Sequence, residues 1–156
     1  MVFPSGLPAI KSVYGDPLPY LNDKPIWEAM ILETRPLRTP LPYAYADAMV
    51  TQVRAHKLVV DAIVQCLMTC VDLGVPLEYL RYGGCYCWRA MRGVDPLRLS
   101  THAFGIAVDL DPMRNPMGSP GVLPPVVVDT FEGAGFTWGG RWQRPDPMHA
   151  QAASGY

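Results

Sequence analysis

The sequence carries little charge and almost no imbalance in it. Thirteen basic and fourteen acidic residues among 156 leave a net charge of −1. The basic face that a nucleic-acid binder needs is missing, so no nucleic-acid partner is expected. A long apolar run is missing too. The longest, Leu58 to Val71, is interrupted by Asp61 and Gln65, and is too short and too polar to span a bilayer. No membrane insertion is expected. The opening residues, MVFPSGLPAIK, have no basic segment leading into an apolar one, so no signal peptide is expected and synthesis in the cytoplasm follows. The four cysteines, Cys66, Cys70, Cys85 and Cys87, form no C-x-x-C pair, which argues against a zinc-finger or thioredoxin-like use. They read as buried free thiols, with a disulfide between the two pairs as the alternative.

What is present fits one domain spanning residues 1–156, with ordinary globular composition: 49% apolar and 17% charged. Eight prolines fall between Pro4 and Pro42. That density predicts an extended arm over residues 1–43, packed on the domain by Leu7, Ile10, Val13, Tyr14, Leu18, Tyr20 and Trp27, with one strand near Trp27–Glu33. Apolar residues recur at Met49, Val53, Val60, Ile63, Leu67, Cys70 and Val71, close to a 3.6 period. The spacing predicts a helix from about Ala46 to Leu73, closed by Gly74 in a left-handed cap. His56 falls on that helix, far from the other motifs, and reads as structural. Strand candidates follow at Leu77–Tyr82, Cys85–Arg89, Ile106–Asp111 and Phe136–Trp138. A second helix is expected from Pro124 or Pro125 to near Gly133. Strands and helices mix without βαβ alternation, which reads as α+β.

The chemistry is concentrated in three stretches. In Ser100-Thr101-His102-Ala103-Phe104-Gly105-Ile106-Ala107-Val108-Asp109, a strand beginning near Gly105 puts Ile106, Val108 and Leu110 on one face. Gly105, Ala107 and Asp109 fall on the other. One face is bulky and apolar; the opposite is stripped to small side chains around one carboxylate, leaving room for a metal or substrate. His102 and Asp109 would be roughly 23 Å apart on an extended chain. Binding one zinc requires the chain to fold back between them, and Gly105 best allows that. Asp111, on the face of Asp109, is the fallback carboxylate. A loop histidine and a turn-capping aspartate are the plain alternative.

The second stretch, Phe136 to His149, offers a third ligand in His149 and a carboxylate three residues earlier, Asp146. Pro145 and Pro147 favour a bend that could aim both at one cavity. Three protein ligands leave a fourth position open, the pattern of a catalytic zinc site, and an unliganded carboxylate beside it can serve as general base. Trp138 and Trp142 either pack or line a groove. In the third stretch, Gly83 to Gly93, Arg89 could reach the same cavity and polarise a carbonyl or bind a carboxylate; a structural ion pair is the alternative.

Together and in this order, the stretches resemble the zinc D-Ala-D-Ala carboxypeptidase family. That family includes VanY-like carboxypeptidases and the L-alanyl-D-glutamate endopeptidases used as phage endolysins. The S-x-H-x-x-G-x-A-x-D signature stands as Ser100, His102, Gly105, Ala107 and Asp109. The W-G-G-x-W segment followed by D-x-x-H stands as Trp138 to Trp142 and Asp146 to His149. Gly84 to Arg89 matches the glycine-then-arginine segment, and Asn115 fits the pattern. The resemblance implies zinc held by His102, Asp109 and His149, Asp146 as the base toward water, and Arg89 steadying the substrate carbonyl. It implies an α+β domain of the kind shared with the Hedgehog signalling domain.

The substrate it implies is the peptidoglycan stem peptide. With no signal peptide expected, an endolysin-type cut between L-alanine and D-glutamate is favoured, made on the wall after release from the cytoplasm. Arg141, Arg144 and Arg92 would then meet stem-peptide carboxylates. The alternatives are a D-Ala-D-Ala carboxypeptidase, a peptidase belonging to a virion or tail assembly, and a wall-binding zinc domain without catalysis.

Overall fold

The computed structural model describes residues 2–91 and 97–156. The architecture is α+β: among the described residues there are four α-helices and two small antiparallel sheets. Among the described residues no helix is long and apolar enough to cross a membrane.

Where proline density predicts an extended arm, the chain forms helix α1 (Leu7–Tyr14), helix α2 (Lys24–Ile31) and strand β1 (Leu32–Pro42). The prolines do not break the helices because Pro8 and Pro25 lie in first turns, where a missing N–H leaves nothing unsatisfied. Pro36, Pro40 and Pro42 sit in β1, which among the described residues pairs only with strand β2 (Met49–His56) and shifts register between Pro36 and Leu41. An edge strand tolerates that. Of the expected apolar anchors, Ile10, Tyr14 and Trp27 are buried. Two of them tie this segment to the region of the motifs. The Trp27 indole donates to the Ala103 carbonyl at 2.9 Å, and the Tyr14 hydroxyl donates to the Ala152 carbonyl at 2.8 Å.

The long helix expected over Ala46–Leu73 is instead β2 followed by helix α3 (Val60–Asp72). Met49 and Val53 match a helical period by coincidence. In the strand, Val53 and Ala55 are buried while Gln52 and Arg54 between and beside them are exposed, a period of two. The genuine helical stripe is Val60, Ile63, Leu67 and Cys70, all buried. Gly74 does end the helix in the left-handed region, φ 79°, with the Val75 N–H donating to Cys70 O at 3.1 Å.

The second sheet has the order β3–β4–β6–β5: Tyr82–Gly84, Ala107–Leu110, His149–Gln151 and Thr137–Trp138. Helix α4 (Pro125–Gly133) leads into β5. The expected strand over Leu77–Tyr82 is mostly a 3₁₀ turn, Leu77–Leu80, and Cys85–Arg89 is not a strand. Ile106, Val108 and Leu110 enter the core with Leu67, Phe104, Phe131 and Phe136. The opposite face of β4 is therefore left for Asp109.

Candidate metal centre

Strand register builds the centre. In the β4–β6 pairing Asp109 lies directly across from His149, so both side chains leave the same face. His102 arrives from a 3₁₀ turn, Thr101–Phe104, whose start is capped by the Ser100 hydroxyl accepting from the His102 N–H at 3.3 Å. The turn ends at Gly105, φ 68°. A Cβ there would stand 2.8 Å from Leu32 Cδ2 and 2.9 Å from the His56 backbone nitrogen. Both the left-handed backbone and the close approach require glycine. This is the reversal that two ligands seven residues apart demand.

Three donor atoms converge. His102 Nε2 is 3.2 Å from Asp109 Oδ1 and 3.2 Å from His149 Nδ1, and the latter two are 3.0 Å apart. All three residues are buried. Donors about 2.0–2.1 Å from one zinc in tetrahedral geometry stand ~3.3 Å from each other, so the triangle fits. The chemistry fits as well. The His102 Nδ1–H donates to the Cys85 carbonyl at 2.9 Å, which leaves the Nε2 lone pair facing the centre. Lone pairs and a carboxylate oxygen pointed at one spot call for a cation. Burial alone would raise the Asp109 carboxyl, but His102 and His149 beside it hold it well below the usual carboxylate range. Burial pulls His149 down, and Asp109 against its ring outweighs that and leaves it raised.

Asp146 stands beside this group. Its Oδ1 is buried without a hydrogen-bond partner among the described residues, and burial foremost lifts its carboxyl above the ordinary value. The two glycines before it serve packing. A Cβ on Gly139 would come 2.6 Å from the Asp146 carbonyl, and one on Gly140 would run into the Trp138 ring. Trp138 is a packing residue, donating from its indole to the Pro147 carbonyl at 2.9 Å. Trp142 lies against the His149 ring, centroids 5.4 Å apart, and faces a cavity of about 90 Å³ shared with Asp146 and Arg89.

A larger cavity of about 520 Å³ opens over His102, Asp109 and Asp146, with Arg89 and Arg144 on its walls. Neither arginine has an ion pair or side-chain hydrogen bond among the described residues. Arg141 does not join them: it forms a two-pronged pair with Glu132 at 2.8 Å and lies over Trp138. Arg92 lies outside the described residues. Asp111, the fallback ligand, turns to Arg114 at 2.6 Å instead. Asn115 is a brace, donating to Asp111 O and accepting from the Val122 N–H. The cysteines are free. Cys66, Cys70 and Cys85 are buried, but Cys87 is exposed on the larger cavity, against the expectation of four buried thiols.

Sequence reasoning missed Gln151 and Thr101. Gln151 Oε1 lies 3.0 Å from His149 Nε2 and 3.0 Å from Thr101 Oγ1. The available signal was spacing, since residues i and i+2 of a strand share a face.

A buried His–Asp–His set of this geometry defines a site able to hold a metal ion, and His102, Asp109 and His149 form such a group among the described residues. The family model described as D-alanyl-D-alanine carboxypeptidase matches residues 95–152, a stretch holding all three donors and Asp146, and so supports the resemblance drawn from the sequence. No curated protein matches the chain, and no solved structure matches it.

Proposed function

We propose that this protein is a zinc-dependent peptidase that cuts the stem peptide of bacterial cell wall, between L-alanine and D-glutamate. One observation carries the metallopeptidase reading: three convergent donor atoms 3.0–3.2 Å apart, with the Asp146 carboxylate beside them, one oxygen of which has no hydrogen-bond partner among the described residues. His102, Asp109 and His149 would hold Zn²⁺, which when bound would supply a Lewis acid toward a carbonyl and toward water. Asp146, on the wall of the cavity, takes a proton from the water whose oxygen bonds to the substrate carbonyl carbon and returns it to the leaving amine as the C–N bond breaks. Arg89, on the cavity wall and without an ion pair or side-chain hydrogen bond among the described residues, donates to the substrate carbonyl oxygen or a neighbouring carboxylate. Arg144 on the same wall offers a second guanidinium to the carboxylates of the stem peptide.

A second reading, removal of the terminal D-alanine, is favoured by the description of the matched family. Digestion of purified sacculi, and separately of a synthetic peptide ending in D-Ala-D-Ala, separates the two by mass spectrometry. New amino termini on D-glutamate are expected. Free D-alanine as the sole product refutes the internal cut and keeps the metallopeptidase. No product from either substrate, with zinc bound, refutes both cuts.

A further inference from the structure

We infer that Gln151 is a positioning residue for the metal centre: clamped by the segment that follows it, its side chain dictates which nitrogen of His149 faces the metal. The inference rests on the reading of His149 as a ligand and is independent of which bond is cut.

Gln151 is 2% exposed. Its Nε2 lies 3.3 Å from the main-chain oxygen of Ala153 and 3.4 Å from that of Tyr156. Main-chain oxygens only accept, so the amide nitrogen must be on their side and Oε1 on the other. The reverse orientation would set an oxygen against two oxygens in a buried place. Oε1 therefore faces Thr101 Oγ1 and His149 Nε2, each at 3.0 Å. An amide oxygen cannot donate. His149 must supply the proton from Nε2, and in the neutral ring, the form that can bind a metal, its Nδ1 is left with the lone pair. Nδ1 is the atom 3.0 Å from Asp109 Oδ1 and 3.2 Å from His102 Nε2. The Thr101 hydroxyl donates to the same Oε1, which holds it in place, and Thr101 immediately precedes His102.

The two histidines thus present different nitrogens, and each choice is made by its outer partner. A carbonyl at Cys85 selects Nε2 on His102, and the amide of Gln151 selects Nδ1 on His149. The terminal segment enters through Gln151. The Tyr156 hydroxyl is anchored on the Leu99 carbonyl at 2.6 Å, and Ser154 pairs with Pro4 and Gly6 through main-chain bonds of 3.0 and 2.8 Å. Those contacts fix the two oxygens that orient the amide.

The test is zinc affinity by competition with a chromophoric chelator on the full chain, alongside thermal melting. Gln151→Leu removes the acceptor at similar volume and is expected to weaken zinc binding about 10- to 100-fold. Gln151→Glu keeps an acceptor toward His149 and loses both donors. It is expected to melt lower yet hold zinc within a few-fold of the parent. A merely structural Gln151 would lower melting in both variants and leave zinc affinity alone. Should the variants fail to fold, long-range ¹⁵N NMR of the zinc-loaded parent protein reads directly which nitrogen of His149 keeps its proton. A proton on His149 Nε2 is expected, and one on Nδ1 overturns the inference. Gln151→Leu binding zinc within twofold of the parent overturns it while leaving the metal centre intact. A parent chain that binds no zinc overturns both.

Discussion

Acid should destabilise this protein through His56, and the size of the effect follows from its surroundings. The residue ends β2 and is 2% exposed. Its Nδ1 accepts from the Leu58 N–H at 3.1 Å, and its Nε2 lies 3.2 Å from the Tyr14 carbonyl. Both ring nitrogens are satisfied by the neutral ring, and a second proton would have to enter at Nδ1, against an N–H. Burial therefore lowers the His56 pKa from 6.5 to about 4. Between those values the unfolded chain binds the proton and the folded one does not. Stability is full above about pH 6.5, falls as pH drops from there toward 4, and levels off below that. The shift of about 2.5 units, at about 1.4 kcal/mol each, gives a loss of about 3 kcal/mol by pH 4. Out of a typical 5–15 kcal/mol this is large. Urea unfolding at pH 7 and pH 4, for the parent and for His56→Gln, measures it. Glutamine can donate to the Tyr14 carbonyl and does not titrate, while the carboxylates and the site histidines titrate in both proteins and cancel. The parent should lose about 3 kcal/mol more than the variant. A difference under about 1 kcal/mol would refute the reasoning.

Two further outcomes concern the site. Asp146→Asn should retain zinc and lose about 10²- to 10⁴-fold in turnover, since nothing else positioned takes the proton; a rate within a few-fold of the parent removes Asp146 from the mechanism. Arg89→Lys keeps the charge and loses the planar fork; it should fold, bind zinc and turn over on the order of 10²-fold more slowly, and unchanged kinetics would assign Arg89 a structural role.

The parts of the fold legible in the sequence are those where one local cause dominates. The alternation of Ile106, Val108 and Leu110 against Asp109 appears as a core face and a site face. Gly74 and Gly105 both adopt the left-handed backbone their positions suggest, and α4 runs from Pro125 to Gly133. The failures have a common origin in partners distant in sequence. Met49 and Val53 satisfy a helical period, and only pairing with β1 makes them a strand. The prolines of the first 43 residues read as breakers, yet a first turn and an edge strand accept them. Strand β6 is three residues long and follows two prolines, so nothing local marks it; its register against β4 is what joins His149 to Asp109. Arg141 looked available to substrate until α4 supplied Glu132 beside it.

The central claim is that His102, Asp109 and His149 together hold one zinc ion. Metal analysis of the purified chain, with His102→Ala prepared in parallel, tests it most directly. Close to one zinc per parent chain is expected, and almost none in the folded variant. A folded His102→Ala protein that retains its full zinc would contradict it.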